Sequence, residues 1–405
     1  MQTDFSQTKP HLSDTINRLS ESATLAMARM ARELKEQGID IISLSLGEPD
    51  FDTPDFIKEA AKKAIDENYS HYPPVNGYGP LREAISAKFK RDNNLNYSAE
   101  QIVVSTGAKQ SIANVVLSLV STGEEVLLPA PYWVSYSEIV KLAGGIPISI
   151  PTSIADDFKI SPEDLEGAIT PKTRMVIYSS PCNPSGTAYS HAELKELAAV
   201  ISRHPQVFVL SDEIYELINF ETKPCSLASF PEVYEQVITV NGVSKAFAMT
   251  GWRLGYIGAP LWIAKACTKM QGQFTSAPCG ISQMAAKAAV EASPEEVTFM
   301  RDAFRKRRDL VLSLLEGIEG LKLNVPPGAF YIFPDVSSFY GKSYKGKTIN
   351  NSNDMSMYLL GEQRVALVSG DAFGDDNCVR ISYSASEDIL REACKRIKAG
   401  LENLN

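Results

Sequence analysis

QVITVNGVSKAFAMTGWRLGYIGAPLWI, residues 236–263, places two cations in an apolar, glycine-rich stretch of the chain. Lys245 and Arg253 are its charged residues, and no acidic residue accompanies them. Buried charge is costly unless it is paired, so both side chains require an anionic partner from elsewhere in the molecule or from a ligand. A desolvated lysine also has a lowered pKa, which makes its amine a nucleophile. The stretch therefore predicts a bound phosphate beside a reactive lysine.

Short apolar runs alternate with helical patterns on the N-terminal side of this stretch. The predicted strands are 101–105, 124–129, 145–150, 173–180, 206–213 and 236–242. Helical spacing separates them, for example over 81–93 and 191–203. This alternation predicts an α/β fold with a mostly parallel sheet, covered by helices on both faces. Such sheets bind ligands at the carboxyl ends of their strands.

The two ends of the chain predict a second, smaller α+β domain. The C-terminal part contains strand-like runs at 328–334, 364–370 and 377–384, followed by a helix from about residue 387. A helical pattern over 24–37 precedes the central sheet. We predict three segments, namely an N-terminal segment of the small domain, a large ligand-binding domain and a C-terminal small domain, over residues 1–47, 48–300 and 301–405.

Composition restricts the class of protein. The 405 residues carry a net charge of −9, which argues against binding nucleic acid or an anionic membrane through the bulk field. No run approaches 18 uninterrupted apolar residues, and the N-terminus lacks the apolar core of a signal peptide. Six cysteines without CxxC pairing indicate reduced thiols in the cytoplasm. Four scattered histidines lack metal-ligand spacing, so we expect no metal site.

Polar residues follow two of the predicted strands. Asp212 ends an apolar strand, and Tyr215 comes three residues later. The carboxylate can hold a protonated nitrogen in the ring of a bound ligand, while the phenol can bond an oxygen on the same ring. Asn183 lies in SSPCNPSGT (179–187), a turn that proline and glycine fix. Its amide serves either this turn alone or the same ring oxygen.

Two features suit an anion. STGAKQ (105–110) joins a strand to a helix start, where free N–H groups form an anion site, although this signal alone is weak. Arg253 is either a bidentate phosphate clamp or a structural arginine paired with a helix carboxyl end. The turn lacks the GxGxxG pattern, which speaks against a nicotinamide dehydrogenase.

Together these motifs resemble the fold-type I pyridoxal phosphate enzymes, specifically the class I aminotransferases, and among them the bacterial aspartate aminotransferases. The matching motifs occur in the family's order across essentially the whole chain. They are LGEPDFDTP (46–54), YPPVNGYGPLR (72–82), SPCNPSGT (180–187), SDEIYE (211–216), SKAFAMTGWRLGY (244–256) and VRISYS (379–384).

The resemblance implies a large domain with a mostly parallel sheet of the seven-stranded type, in which pyridoxal 5′-phosphate binds. Lys245 would form an aldimine with it and move the proton during the reaction. The cofactor ring would be held by Asp212, Asn183, Tyr215 and Trp133. The phosphate would be held by Arg253, Ser244 and the backbone amides of Gly107, Ala108 and Lys109. Tyr72 resembles the tyrosine that reaches the phosphate of the neighbouring subunit, which implies a homodimer with shared active sites.

The resemblance also implies a substrate pocket. Arg380 matches the arginine that clamps the α-carboxylate, with Gly47, Asn183 and Trp133 beside it. Lys109, Ser22 and Thr24 match the groups that meet a side-chain carboxylate in the bacterial branch. A hydroxyl before a helical run is also typical of an N-cap, which is the alternative for Ser22 and Thr24.

Two positions depart from the family pattern. Cys182 replaces the first asparagine of the family's Asn–Asn–Pro, and the second, Asn183, is kept. Ser20 stands about where some relatives that accept prephenate carry a basic residue, so we do not expect prephenate activity.

The expected reaction is ping-pong transamination of L-aspartate with 2-oxoglutarate, giving oxaloacetate and L-glutamate. The alternative on the same fold is an aminotransferase for alanine, aromatic amino acids or kynurenine, or a cysteine-conjugate β-lyase. A regulator with an aminotransferase-like domain would require a DNA-binding appendage, for which we find no spare segment or basic patch.

Overall fold

The computed structural model describes residues 12–221 and 225–405. In these ranges the strands are β1 Ile42–Ser43, β2 Ile102–Ser105, β3 Glu125–Pro129, β4 Ile146–Ile150, β5 Thr173–Ser179, β6 Phe208–Asp212, β7 Val237–Gly242, β8 Gly255–Gly258, β9 Tyr331–Ile332, β10 Ser343–Tyr344, β11 Lys347–Thr348, β12 Val365–Ala366, β13 Val368–Ser369 and β14 Val379–Ser382. The α-helices are α1 Asp14–Asn17, α2 Ala23–Glu36, α3 Asp55–Asp66, α4 Gly79–Asn93, α5 Ala108–Leu119, α6 Ser135–Leu142, α7 Pro162–Ala168, α8 His191–Ile201, α9 Leu261–Phe274, α10 Gly280–Glu291, α11 Thr298–Leu315, α12 Ser352–Gln363 and α13 Glu387–Glu402.

A seven-stranded sheet in the order β2-β8-β7-β6-β5-β3-β4 forms the centre of the molecule. Its neighbouring strands are parallel except where β8 meets β2 and β7. Strands such as β6 are buried along their whole length, because helices cover both faces of the sheet. Two apolar clusters, one on each face, fill the space between the sheet and these helices. The predicted α/β fold with a mostly parallel sheet is confirmed.

The antiparallel strand β8 was not predicted from the sequence. It returns from the stretch that carries Lys245 and Arg253 and inserts between β7 and β2, with Gly255 opposite Gly242. A Cβ on Gly255 would collide with the backbone of Ala108, so this close approach requires glycine. Glycine is unfavourable in strands, and two of the four β8 residues are glycines, so local composition could not predict the strand.

A smaller three-stranded antiparallel sheet, β13-β14-β9, lies in the C-terminal part. The predicted strand 364–370 is divided in two, because β12 pairs with β1 while β13 pairs with β14. Helix α2 joins this part through a small apolar cluster that contains Met27, Ala31 and Ala366. Helix α2 and strand β1 therefore pack against the C-terminal part.

Membrane insertion has no helical candidate in ranges 12–221 and 225–405. None of the helices there combines the length and the apolar character needed to cross a bilayer.

Candidate active site

A cavity of about 310 Å³ opens where strands of the central sheet end. Strand β5 ends at Ser179 and β6 ends at Asp212, and the two residues lie opposite each other in the sheet. Six predicted site residues line the cavity from strand ends and the turns or helices that follow, namely Ala108, Lys109, Trp133, Asn183, Asp212 and Tyr215. The others that line it are Ser22, Thr24, Gly47, Ser244, Lys245, Arg253 and Arg380.

Asp212 is the buried carboxylate of this cavity. The Tyr136 hydroxyl donates a hydrogen bond to its Oδ2 at 2.7 Å, and the Ile214 N–H donates to its Oδ1 at 3.2 Å. Burial raises the pKa of Asp212 to about 6, while the bond from Tyr136 opposes the rise. A carboxylate held in this way is suited to hold a protonated ring nitrogen.

Tyr136 was missed by the sequence analysis. It is fully buried on α6, and its ring meets Trp133 edge-on with 5.5 Å between centroids. The available signal was its position in APYWVSY, one helical turn after Trp133. Three residues along a helix lie on the same face, so a tyrosine there reaches the same cavity.

Lys245 follows β7, and its amine points toward the N-terminal part of the chain. The Nζ donates a hydrogen bond to the carbonyl of Gly47. Burial lowers the pKa of Lys245 to about 8, and the charge of Arg380 adds to this shift. The amine is therefore much closer to its neutral, nucleophilic form at physiological pH than an exposed lysine is.

Arg380 lies on β14 and is only 1% exposed, so its guanidinium is buried. Its Nη1 donates to Asn183 Oδ1 at 2.9 Å, and its Nη2 donates to the carbonyl of Ser45. Its Nε has no hydrogen-bond partner, and no salt bridge to Arg380 occurs among the described residues. A buried guanidinium held only by neutral groups is suited to receive a carboxylate.

Two aromatic rings support Arg380. Its Cζ lies 4.7 Å from the ring centroid of Tyr331 and 5.0 Å from that of Phe373. The Tyr331 hydroxyl lies 2.8 Å from the hydroxyl of Tyr215. Tyr331 was also missed by the sequence analysis, although the run GAFYIFP that carries it was predicted as a strand.

The turn before α5 forms an anion cradle. Gly107 adopts a left-handed backbone with φ of 84°, and a Cβ on it would collide with the guanidinium of Arg253. Arg253 itself has φ of 53°, and its Nη1 donates to the carbonyl of Thr250 at 2.9 Å. The start of α5, where helix N–H groups are free to bind an anion, therefore lies directly against a cation, and only glycine allows this approach. This arrangement fits a phosphate group.

Lys109 lies on the first turn of α5. Its Nζ is 4.9 Å from the ring centroid of Trp133. Burial lowers the pKa of Lys109, and the charge of Arg253 lowers it further. A second cation thus lines the same cavity as Arg380.

Ser22 and Thr24, at the start of α2, form another part of the cavity wall. Ser22 stands at the N-cap position of α2, but its side chain makes no capping hydrogen bond. The Thr24 Oγ1 is buried and has no partner. Both residues line the cavity, and neither hydroxyl makes the hydrogen bond that an N-cap would give it.

Tyr72 is not brought into this cavity. Its side chain is 99% exposed, and it is absent from the lining. Cys182 is partly buried and donates to the carbonyl of Pro131 at 3.4 Å, next to Asn183. No group of three or more histidine, cysteine, aspartate or glutamate residues in the described ranges could hold a metal ion.

The comparisons with known proteins place the chain in a family. The family model described as aminotransferase class I and II matches residues 39–397, and the chain belongs to this family. The protein is a pyridoxal 5′-phosphate-dependent aminotransferase, as the resemblance implied.

The chain is also similar to individual relatives and solved structures over most of its length. The chain is 49% identical over 395 residues to the bifunctional aspartate aminotransferase and glutamate/aspartate-prephenate aminotransferase of Petunia hybrida, covering 96% of this chain and 82% of the relative. The crystal structure of the aspartate aminotransferase from Rhizobium meliloti matches with a TM-score of 0.95 at 41% identity, covering 98% of this chain and 100% of that one. The Thermus thermophilus aspartate aminotransferase with maleate matches with a TM-score of 0.91 at 38% identity, covering 97% of this chain and 100% of that one.

Proposed function

We propose that the protein transfers the amino group of L-aspartate to 2-oxoglutarate, giving oxaloacetate and L-glutamate. The observation that carries this proposal is that Arg380 and Lys109 line one cavity and neither has a carboxylate partner among the described residues. Two cations in one cavity suit a substrate with two carboxylates. The names of the relatives support the same substrate class, since the Thermus thermophilus enzyme was solved with maleate, a dicarboxylate.

The residues around the cavity fit the cofactor. Asp212 would hold the proton of the ring nitrogen, and Asn183 and Tyr215 would bond the ring oxygen, while Trp133 would stack on the ring. The phosphate would lie in the cradle formed by Arg253, Ser244 and the amides of Gly107, Ala108 and Lys109. The bound cofactor supplies an aldehyde carbon and a ring that accepts electrons.

Lys245 would move the proton of the reaction. Its Nζ would take a proton from the substrate Cα and later deliver it to the cofactor carbon, which requires an amine that is neutral part of the time. A pKa of about 8 provides this neutral fraction near physiological pH and leaves the amine basic enough to take the proton. Arg380 would orient the α-carboxylate in both half-reactions, so donor and acceptor would use the same pocket in turn.

Lys109, Ser22 and Thr24 would receive the side-chain carboxylate. Lys109 supplies charge, while the two hydroxyls supply hydrogen bonds from α2. The unpartnered Oγ1 of Thr24 supports this assignment.

A panel of amino acids tests the substrate. Loss of the bound cofactor's aldehyde absorbance reports the first half-reaction for each amino acid. We expect L-aspartate and L-glutamate to react at far lower concentrations than alanine, aromatic amino acids, kynurenine or a cysteine conjugate. The matched variant Lys109→Met should weaken the reaction with aspartate and leave alanine unaffected. Reaction with a neutral amino acid but not with aspartate or glutamate would contradict the proposal.

We propose that prephenate is a poor amino acceptor. The Petunia hybrida relative is named for prephenate as well as aspartate, so the point is open to test. Ser20 is exposed and offers no charge to the extra carboxylate of prephenate, and its N–H donates to Glu138 Oε2 at 2.8 Å. Turnover of prephenate comparable to that of 2-oxoglutarate would overturn this proposal.

We propose that the protein is a cytoplasmic homodimer in which Tyr72 completes the partner's phosphate site. The full exposure of Tyr72 in the single chain supports this role. Co-expressed Tyr72→Ala and Lys245→Ala chains test it, because their mixed dimer holds one intact site only if Tyr72 acts across the interface. We expect the mixture to recover activity at limiting cofactor, and no recovery would contradict the shared site.

The division into 1–47, 48–300 and 301–405 also stays a proposal. The pairing of β1 with β12 and the cluster around Met27 support assigning the N-terminal segment to the small domain. Residues 1–11 of that segment lie outside the described residues. Limited proteolysis that releases an intact fragment ending near residue 300 would support the second boundary.

A further inference from the structure

Tyr331 contacts two residues of the cavity, and no role has been assigned to it so far. It lies on β9 with no exposed surface, yet it lines the cavity. Its hydroxyl reaches Tyr215 at 2.8 Å, and its ring lies under the guanidinium of Arg380 at 4.7 Å. One side chain therefore contacts a residue assigned to the cofactor and a residue assigned to the substrate.

The loop at Gly47 fixes the hydroxyl of Tyr331. A Cβ on Gly47 would collide with this hydroxyl, so the loop passes directly against it. The carbonyl of the same glycine accepts the hydrogen bond from Lys245. The hydroxyl is thus confined between the loop and Tyr215, and it has little freedom to turn elsewhere.

We propose that Tyr331 is a positioning residue with two separable tasks: its hydroxyl donates to Tyr215, and its ring orients Arg380 for the substrate carboxylate. This inference rests on the proposed function. It adds a residue that the sequence analysis did not single out.

The direction of the hydrogen bond follows from counting protons. Burial raises the pKa of both tyrosines, so each keeps one proton near neutral pH. A hydroxyl has a single proton to donate. If Tyr215 donates its proton to the cofactor's ring oxygen, it must accept from Tyr331. A phenol that accepts one hydrogen bond becomes a stronger donor of the next, so Tyr331 strengthens the bond from Tyr215.

The ring task is independent of the hydroxyl. A planar guanidinium over an aromatic face is attracted to it and is held parallel to it. Asn183 and Ser45 already fix Nη1 and Nη2 of Arg380, so the ring restricts the remaining tilt of the plane. This leaves the orientation toward a bidentate carboxylate set before the substrate binds.

Two variants of the holoenzyme separate the tasks. Tyr331→Phe removes the hydroxyl and keeps the ring, whereas Tyr331→Leu removes both. The matched control is Tyr383→Phe, a fully buried tyrosine whose hydroxyl donates to the carbonyl of Ala329 at 3.2 Å, away from Tyr215. Thermal unfolding of each variant shows whether it is folded and loaded with cofactor.

The first readout is the pH titration of the bound cofactor's absorbance. Hydrogen bonds donated to the ring oxygen favour its ionised form, so their weakening raises the pH of the transition. We expect Tyr331→Phe to raise the midpoint by about one pH unit with KM for aspartate nearly unchanged. Tyr331→Leu should raise KM roughly tenfold in addition, and Tyr383→Phe should change neither value.

Three outcomes are decisive. A Tyr331→Phe midpoint equal to that of the wild type overturns the hydroxyl task. Equal KM values for the Phe and Leu variants overturn the ring task. Failure of the wild type to react with aspartate would instead refute the proposed function, and the absorbance titration would still test the hydroxyl.

Discussion

The two ends of the active-site cavity are built differently. At the ring end, Asp212 terminates a buried strand, and its oxygens accept hydrogen bonds from Tyr136 on α6 and from the backbone N–H of Ile214 just after the strand. At the other end, Ser22 and Thr24 come from α2, which packs with the C-terminal part, and their hydroxyls make neither capping nor other assigned bonds. In the proposed function, the sheet would therefore fix the chemistry common to all substrates, while the separately anchored helix would present the groups that choose among them.

The largest effect is expected at the ring end from Lys245→Ala. Removing the amine removes the proton carrier, so turnover of aspartate should fall by at least about 10⁴-fold. Cofactor absorbance and single-turnover kinetics check the change. The control Lys265→Ala alters an exposed lysine of α9 and should leave turnover unchanged. Activity of Lys245→Ala within tenfold of the wild type would refute the role of this lysine.

A second change at the ring end is Tyr136→Phe. The hydrogen bond to Asp212 favours the ionised carboxylate, so its loss raises the pKa of Asp212 above its present value of about 6. The acid side of the pH profile of kcat should move upward by about one unit. Tyr97→Phe, which removes a buried hydroxyl bonded to Thr239, serves as control. An unmoved profile would show that Tyr136 does not act through Asp212.

At the helix end we expect a smaller effect from Thr24→Val. The substitution removes the unpartnered hydroxyl and preserves the shape, so KM for aspartate should rise roughly fivefold, while KM for alanine stays constant. Thr268→Val removes a hydroxyl that bonds its own helix at Ala264 and is the control. An equal rise for aspartate and alanine would indicate a general distortion of α2.

The smallest effect on activity is expected from Glu213→Gln, next to the ring end but facing away from the cavity. Burial raises the pKa of Glu213 from 4.5 to about 8, and the Ser211 hydroxyl donates to its Oε1 at 2.9 Å. The unfolded chain releases this proton near pH 4.5 and the folded chain near pH 8. Folding stability from this group is therefore full below pH 4.5 and is lost as the pH rises toward 8.

Glutamine keeps the shape without the titration. The melting temperature of Glu213→Gln relative to the wild type should rise between pH 5 and pH 8, with turnover little changed. Glu235→Gln, at an exposed site, should show no such trend. A constant difference across this range would mean that Glu213 is already ionised in the folded protein.

The sequence could predict the elements that a local pattern determines, and it could not predict those that depend on contacts between distant residues. Strands β5, β6 and β7 are apolar runs with polar residues at their ends, so Asp212 and Lys245 were found from local pattern alone. Strand β8 could not be found, because Gly255 is required by contact with a helix start more than a hundred residues earlier in the chain.

The two tyrosines that were not predicted, Tyr136 and Tyr331, also act through contacts with distant residues. Tyr136 meets Asp212 across 76 residues of sequence, and Tyr331 meets Tyr215 across 116. Apart from the position of Tyr136 three residues after Trp133, neither tyrosine has local neighbours that distinguish it from an ordinary core aromatic residue. Family resemblance supplied Ser22, Thr24 and Arg380, which lie far in sequence from the strands they approach, and their roles stay predictions.

Four cations, Lys109, Lys245, Arg253 and Arg380, converge on a cavity inside a chain of net charge −9. Burial is the largest cause of the lowered pKa of both lysines, and the charge of Arg253 adds to the shift in each case. Such crowding opposes compaction of the polypeptide until a doubly negative group arrives to neutralise it. We therefore expect phosphate or a dicarboxylate, once bound in the cavity, to raise the heat resistance of the ligand-free molecule.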